Sequence, residues 1–352
     1  MALVLVDRLL RRGVTPVREV PPKPERIFWW WEQICNLSCN HCDIGRRTKS
    51  YQLTPKLDLK DKLTALERLH RFVGKPFSLS FIAGEPFLHP DLLDAVARAT
   101  ELGITTSVTT NGTLLATAGR AERVVQAGLS FVAVSVDSAD AEYHDRTRGR
   151  RGTHALARRS IQQLREARER LGRSAPVVWV NSIIMRDNLD GLLQLSDWVR
   201  EEGIQGHSFQ PVATTDFFMG ERPQGDRWFE QSALFPEPAA ALAFVEELQR
   251  RKASGYPIQN SDNDFRQWRA YFEDPVAFGS LESCESELKT LLVTHTGHVK
   301  MCPNTRESFG HVLRDDLDDM WVGRAAGRAR EHVYECKSQC KILANTKEDF
   351  YF

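Results

Sequence analysis

The chain has 352 residues, of which 41% are hydrophobic and 27% are charged, values close to those of ordinary soluble domains. This length allows about two domains and excludes a chain too small to bury its own core. Lys plus Arg (47) equals Asp plus Glu (47), so the formal net charge is zero, and no overall field draws the protein to nucleic acid or to anionic membranes.

The first residues predict neither export nor membrane insertion. The apolar run that begins at Ala2 is interrupted by Asp7, whereas a signal peptide needs an apolar stretch of about 7–15 residues. No stretch approaches the roughly 18 apolar residues of a transmembrane helix. We therefore expect a cytoplasmic protein, in which disulfides are rare and cysteines serve as metal ligands, catalytic thiols or core residues.

Strands and helices alternate over the first 212 residues. Runs of aromatic and branched residues predict strands at 26–33, 77–82, 104–109, 131–136, 177–185 and 207–212. Apolar periodicity predicts helices at 57–73, 91–102, 113–127, 154–171 and 189–202. This alternation indicates an α/β fold with a parallel sheet, whose ligands bind at the carboxyl ends of the strands.

The motifs of two common nucleotide sites are missing from this pattern. No glycine fingerprint for a dinucleotide follows the first strand, and no phosphate loop ending in Gly-Lys-Ser or Gly-Lys-Thr occurs. Residues 146–173 contain ten arginines, but no aromatic residue is interleaved with them. We interpret them as a solvated helix face, so nucleic acid is not an expected partner.

The seven cysteines fall into two groups. Three lie within eight residues and have polar neighbours, and four lie in the last seventy residues: Cys35, Cys39 and Cys42, then Cys284, Cys302, Cys336 and Cys340. Zinc sites favour four ligands. A tight group of three thiolates instead suits an iron–sulfur cubane that leaves one iron open to a chelating ligand.

Together these residues resemble the radical S-adenosylmethionine (SAM) superfamily. The motif Cys-x3-Cys-x2-Cys, at Cys35, Cys39 and Cys42, follows the first predicted strand, and Gly84-Glu85-Pro86 follows the second. His144-Asp145 with Arg148-Gly149 is similar to a loop that often follows the fourth strand in this superfamily. The resemblance covers about residues 25–215 and implies a partial (β/α)6 radical SAM barrel.

The resemblance also implies the cofactors and their contacts. A [4Fe-4S] cluster on the three thiolates would chelate SAM, and a 5′-deoxyadenosyl radical would take a hydrogen atom from the substrate. The backbone of Gly84, Glu85 and Pro86 would meet the SAM amino group. The candidates for carboxylate or ribose contacts are Asn111, Ser135, Arg148 and Asn181. A flavodoxin- or ferredoxin-type protein is the implied electron donor.

Two points are open at this stage. The proton acceptor is not identified by the sequence, and the candidates are Asp137, Glu85 and His207. An aromatic residue often precedes the third cysteine in this family, whereas His41 stands there in this chain.

The last four cysteines accompany a second pattern. Segments 288–293 and 298–301 flank Thr294-His295-Thr296-Gly297 and predict a β-hairpin, and 315–333 predicts a helix. This resembles the twitch domain, the shortened relative of the SPASM domain, and implies one auxiliary [4Fe-4S] cluster on Cys284, Cys302, Cys336 and Cys340. Four thiolates also suit a structural zinc ion, which is the alternative.

The expected organisation has four parts. They are an N-terminal extension (1–25), the radical SAM partial barrel (26–215), a connector (216–280) and a small α+β twitch-type domain (281–352).

A fully ligated auxiliary cluster suits electron transfer, which predicts a substrate oxidation by dehydrogenation or bond formation. No cysteine is left to return a hydrogen atom, which weighs against epimerisation. The short segment before the first strand favours a small metabolite such as a sugar, cyclitol or nucleoside, and a ribosomal-peptide maturase is the alternative. A non-catalytic iron–sulfur or zinc scaffold would have no need of the polar strand ends, Gly84-Glu85-Pro86 above all.

Overall fold

The computed structural model of the chain describes residues 21–45, 56–213, 226–282, 284, 290–305 and 307–345. These residues contain one sheet of nine strands in the order β6-β5-β4-β3-β2-β1-β7-β8-β9. The strands are β1 (Arg26–Trp30), β2 (Ser78–Ile82), β3 (Thr105–Thr110), β4 (Phe131–Ser135), β5 (Val177–Ile184), β6 (Gly206–Pro211), β7 (Thr290–Val293), β8 (His298–Lys300) and β9 (Gly310–His311).

Helices connect the first six strands and continue after them. They are α1 (Leu59–Val73), α2 (Leu92–Glu101), α3 (Ala118–Gln126), α4 (Ala141–Thr147), α5 (Thr153–Arg170), α6 (Leu189–Glu201), α7 (Pro238–Ala253), α8 (Asp262–Glu273), α9 (Pro275–Leu281), α10 (Leu317–Val322), α11 (Arg324–Glu335) and α12 (Lys341–Asn345). No helix in the described ranges is long and apolar enough to cross a membrane.

The α/β architecture is confirmed. Strands β1 to β6 lie side by side in chain order and every neighbouring pair is parallel. Strand β6 forms one end of the sheet, so the six strands make a partial rather than a closed barrel. The carboxyl ends of all six strands therefore meet at one edge, where the cysteine loop follows β1.

Local sequence signals explain where the first helix begins and ends. The side chain of Asp58 accepts a hydrogen bond from the backbone N of Asp61 (2.8 Å), which caps the start of α1. Gly74 adopts a positive φ of 64° and ends the helix. Between these caps, Leu66 and Leu69 are fully buried against the sheet.

The predicted helix over 113–127 was too long at its start. In the structure α3 begins at Ala118, because Thr113 serves the preceding loop instead. Its backbone N and its Oγ1 both donate to Oδ1 of Asn111, at 3.0 and 2.6 Å. Side chains that hydrogen-bond nearby backbone compete with helix formation in this way.

The predicted C-terminal hairpin is present, and it continues the main sheet. Strand β7 pairs in parallel with β1, with Trp29 opposite Val293, and antiparallel with β8. The turn after β7 therefore lies at the same edge as the cysteine loop. The single helix predicted over 315–333 is two helices, because the chain adopts extended backbone at Gly323 (φ −67°, ψ 162°).

The segment after β6 holds more structure than the sequence analysis assigned. The expected connector at 216–280 contains α7, α8 and α9 within its described part, residues 226–280. Buried aromatic residues join these helices to the rest of the core, among them Phe235, Trp268 and Tyr271. Residues 1–20, 214–225 and 288–289, which some predictions included, lie outside the described residues.

Candidate active site

The turn from β1 into the cysteine loop is held by a buried carboxylate. Oε1 of Glu32 accepts hydrogen bonds from the backbone N of Gln33 (2.8 Å) and of Ile34 (3.1 Å). Nζ of Lys56 contacts the same oxygen at 2.6 Å. These contacts fix the chain direction just before Cys35. No sequence motif marks either Glu32 or Lys56 as a site residue.

The first cysteine group has the local geometry of cluster ligands. The backbone N–H of Leu37 donates to the sulfur of Cys35, and that of Ile44 donates to the sulfur of Cys42. Burial raises the pKa of Cys35 to about 12 and that of Cys42 to about 11, and a bound metal would deprotonate both thiols. With Cys39 between them, the donor set fits three corners of an iron–sulfur cluster.

A buried ion pair lies against the middle cysteine. Nη2 of Arg148 is 2.7 Å from Oδ2 of Asp137, and Nη1 of Arg148 is 3.9 Å from the sulfur of Cys39. Burial alone would raise the pKa of Asp137, but the charge of Arg148 and smaller contributions from neighbouring groups together outweigh it, so the pKa lies below its usual range. Oδ1 of Asp137 accepts from the backbone N of Ile183 (3.1 Å). Both oxygens are therefore engaged, and a proton on Asp137 would break the pair.

The loop after α4 covers the other side of the cysteine loop. The backbone N of Asn40 donates to the carbonyl of Thr147 at 2.9 Å. A Cβ added at Gly149, where φ is 69°, would come within 2.5 Å of the carbonyl oxygen of Ser38, so the close approach requires glycine. Burial lowers the pKa of His41 to about 4.

The Gly-Glu-Pro loop after β2 also packs on the cysteine loop. Ala83 and Gly84 adopt positive φ angles of 70° and 54°, which is strained for alanine. A Cβ at Gly84 would lie 2.4 Å from the carbonyl oxygen of Ile34, and the backbone N of Glu85 donates to that same oxygen at 2.9 Å. Pro86 then begins a short 3-10 helix.

The side chain of Glu85 is a structural tie between two strand ends. It is fully buried, and its oxygens accept from Oγ1 of Thr110 (2.8 Å), the backbone N of Asn111 (2.8 Å) and the backbone N of Phe87 (3.2 Å). Burial raises the pKa of Glu85 to about 7, and these donors oppose the rise. The carboxyl group joins the end of β2 to the end of β3 and has no access to a substrate.

Asn111 links β3 directly to the cysteine loop. Its Nδ2 donates to Oδ1 of Asn36 at 2.8 Å and lies 4.0 Å from the sulfur of Cys35. Nδ2 of Asn36 in turn donates to Oγ1 of Thr113 at 2.9 Å. No sequence motif marks Asn36 or Thr113 as site residues, although Asn36 adjoins Cys35 in the chain.

Two of the remaining candidates lie in one polar row across the sheet. Ser135 is opposite Asn181 in the β4–β5 register, and Asn181 is opposite Ser208 in the β5–β6 register. Oγ of Ser208 donates to Oδ1 of Asn181 at 2.9 Å. Ser208 was not among the predicted cofactor contacts, and its place in this row makes it a further candidate.

His207 lies away from this edge. It is the second residue of β6 and is 1% exposed. Oγ of Ser182 donates its hydrogen to the carbonyl of Val136. Nε2 of His207 must therefore be the donor in its hydrogen bond with Ser182 (2.9 Å). Nδ1 of the neutral ring then accepts from Oγ of Ser196 (3.1 Å). Burial lowers its pKa to about 3. A ring enclosed in this way is a core residue without a path to substrate.

The four C-terminal cysteines line one cavity of about 250 Å³. Here too the backbone N–H two residues on donates to sulfur, from Asn304 to Cys302 (3.3 Å) and from Ser338 to Cys336 (3.4 Å). Within the described ranges, no group of three His, Cys, Asp or Glu side chains is arranged to hold a single metal ion. A cavity needs only about 10–15 Å³ to hold one water molecule, so this space has room for a [4Fe-4S] cluster on the four thiolates.

Comparisons with known proteins agree with this geometry. Residues 33–199 match the model of the radical SAM superfamily. The AdoMet-dependent heme synthase of Methanosarcina barkeri is 31% identical over 92% of this chain and 89% of its own length. The mycofactocin maturase MftC of Mycobacterium ulcerans is 26% identical over 85% of this chain and 74% of its own length.

A solved structure shows the same fold. Streptococcus suis SuiB bound to its precursor peptide SuiA superposes with a TM-score of 0.66 at 15% identity. The match covers 96% of this chain and 73% of SuiB.

Proposed function

The chain belongs to the radical SAM superfamily, and on that premise we propose that this enzyme catalyses a net two-electron oxidation of its substrate. When bound, SAM and the two clusters supply a 5′-deoxyadenosyl radical for hydrogen abstraction and an acceptor for one electron. The substrate gives up a hydrogen atom, then an electron and a proton, so two electrons and two hydrogens leave in all.

The observation that carries this proposal is the shared cavity of Cys284, Cys302, Cys336 and Cys340. Four thiolates saturate a [4Fe-4S] cluster, which then has no open iron for substrate and is suited to electron transfer. The same assignment uses every cysteine outside the first group. It supports an oxidation over a redox-neutral epimerisation, which would need a free thiol to return a hydrogen atom.

At the first site, the protein's own residues hold the cysteine loop rather than react. Glu32 sets the exit from β1, Asn111 and Glu85 tie the loop to the ends of β2 and β3, and Arg148 with Asp137 lies against Cys39. This support keeps the three sulfurs in place while cofactor and substrate exchange.

Two substrate classes have specific support. The relative from M. barkeri is named for heme synthesis, which supports a small molecule of the porphyrin type rather than a sugar or nucleoside. The second candidate is a peptide, because MftC is named as a maturase and 96% of this chain matches 73% of a structure that is bound to its precursor peptide.

Iron content and SAM cleavage test the proposal. Anaerobically reconstituted protein should hold about eight irons per chain, and with dithionite it should convert SAM to 5′-deoxyadenosine. The variant with Cys35, Cys39 and Cys42 changed to Ala should keep about four irons and form none. Continued 5′-deoxyadenosine formation by that variant would contradict the site assignment.

The same assay separates the substrate classes. An iron porphyrin and a pool of precursor-like peptides should be incubated in parallel, with the triple cysteine variant as the control. A product two electrons more oxidised than its substrate should form in one of the two reactions and not with the variant. Binding of either compound without SAM cleavage would instead support a scaffold.

A further inference from the structure

We propose that Asn304, Ser338 and Lys341 raise the reduction potential of the auxiliary cluster by stabilising negative charge at and beside its Cys340 corner. The inference rests on the proposed function, because it requires a cluster in the cavity of the four C-terminal cysteines. Together these three residues would make that cluster a better electron acceptor.

Two side-chain donors converge on one sulfur. Nδ2 of Asn304 is 3.0 Å from the sulfur of Cys340, and Oγ of Ser338 is 3.2 Å from it. Hydrogen bonds to cluster sulfurs are one of the main determinants of cluster potential. They stabilise the reduced cluster more than the oxidised one, because the reduced cluster carries one more negative charge.

The burial of Asn304 indicates that its amide serves this sulfur. The residue is 8% exposed and lines the cavity, and its Oδ1 has no hydrogen-bond partner among the described residues. A buried amide with an unpaired polar atom destabilises a protein, so an apolar residue would be more favourable here unless the amide had a function. A thiolate sulfur accepts hydrogen bonds, which places the NH₂ group rather than the oxygen toward Cys340.

Lys341 supplies a buried positive charge next to the same cysteine. Its side chain is 3% exposed and lines the cavity. Nζ donates to the carbonyl oxygens of Gly279 and Cys336, each at 2.8 Å, and to that of Glu282. All three hydrogens of the ammonium group are thus used on neutral carbonyls.

Among the residues that the structure describes, no carboxylate contacts this ammonium group. A buried charge is strongly unfavourable unless an opposite charge lies near it. A [4Fe-4S] cluster on four thiolates is an anion in both of its working oxidation states. We infer that the cluster is the counter-charge of Lys341, and that its reduction is favoured by this proximity.

The test is a redox titration of each cluster in the reconstituted full chain, with electron paramagnetic resonance as the readout of cluster reduction. Asn304→Leu and Ser338→Ala each remove one donor to sulfur. Thr305→Val is the matched control, since Thr305 lines the same cavity but its Oγ1 donates to the carbonyl of Cys302 rather than to a sulfur. The first cluster is an internal reference in every sample.

We expect the midpoint potential of the auxiliary cluster to fall in Asn304→Leu and in Ser338→Ala, and to fall further in the double variant. It should stay unchanged in Thr305→Val, and the first cluster should not shift in any of them. Unchanged midpoints in both single variants at full iron content would overturn the inference. If Asn304→Leu loses iron, Ser338→Ala decides between the same two outcomes.

Failure of the proposed function would look different. Wild-type protein that holds only about four irons after reconstitution would defeat the auxiliary cluster, and this inference with it, before any potential was measured. Full iron content with unshifted midpoints would defeat this inference alone.

Discussion

Changing Asp137 to Asn should destabilise the protein strongly, because it removes the carboxylate that pairs with the buried charge of Arg148. The two side chains are 0% and 8% exposed and their charged atoms are 2.7 Å apart. Removing one member of such a pair costs about 3–5 kcal/mol. Asn keeps the size of the side chain, so this loss reports the charge and not a cavity.

The expected shift in melting temperature follows from the chain length. An unfolding entropy of about 2.1 cal/mol/K per residue gives about 0.7 kcal/mol/K for a chain of this length. A loss of about 3–5 kcal/mol therefore lowers the melting temperature by about 4–7 °C. The assay is thermal unfolding by circular dichroism without oxygen, on protein of matched iron content.

Two further variants complete this test. Arg146→Met is the control, because Arg146 is two residues from Arg148 in the chain but its side chain is 65% exposed and lies 4.0 Å from Glu142. Its effect should stay within about 0.5 kcal/mol. The double variant Asp137→Leu with Arg148→Met should recover much of the loss. A shift below about 1 °C for Asp137→Asn would refute the argument that a tightly paired, dehydrated charge lies beside Cys39.

Three other predictions concern the remaining sites. Cys336→Ala combined with Cys340→Ala should lower the iron content to about four per chain while 5′-deoxyadenosine still forms. Loss of 5′-deoxyadenosine formation in this variant would contradict two separate sites. Glu85→Gln should lower stability by about 1–3 kcal/mol in urea unfolding, because an NH₂ group replaces one of the accepting oxygens, and an unchanged midpoint would count against the tie to Thr110. Burial lowers the pKa of His207 to about 3 from 6.5, so its contribution to stability is present above about pH 6.5 and is lost as the pH falls from there toward 3. His207→Gln should flatten that acid loss without impairing SAM cleavage at pH 7.5, whereas a loss of cleavage would restore His207 as a catalytic candidate.

The sequence predicted the barrel well because its signals are local. Apolar periodicity in α1 and aromatic or branched runs in β1 and β2 lie within a few residues of one another, and each strand pairs with the next one in the chain. The pairing of β7 with β1 was not predictable in the same way. Its partners, such as Trp29 and Val293, are separated by most of the chain, and nothing in either segment encodes the other.

The same distinction between local signals and long-range contacts applies to the candidate site. The cysteines and the Gly-Glu-Pro loop were visible as motifs, whereas the residues that support them depend on tertiary contacts. Glu32 and Asn36 become meaningful only when the ends of β2 and β3 lie beside the cysteine loop. The sequence does not show whether a single polar residue is buried. In the structure, burial identifies Glu85 as a link between the ends of β2 and β3 and His207 as a core residue.

The most direct test of the account is the balance between SAM and product in deuterium oxide. With the true substrate, the enzyme should consume one SAM for each two-electron oxidation. The product should have lost two hydrogens and carry no solvent deuterium at the carbon from which hydrogen was abstracted. A product isomeric with the substrate, or one deuterium at an inverted centre, would contradict oxidation through the cluster of Cys284, Cys302, Cys336 and Cys340.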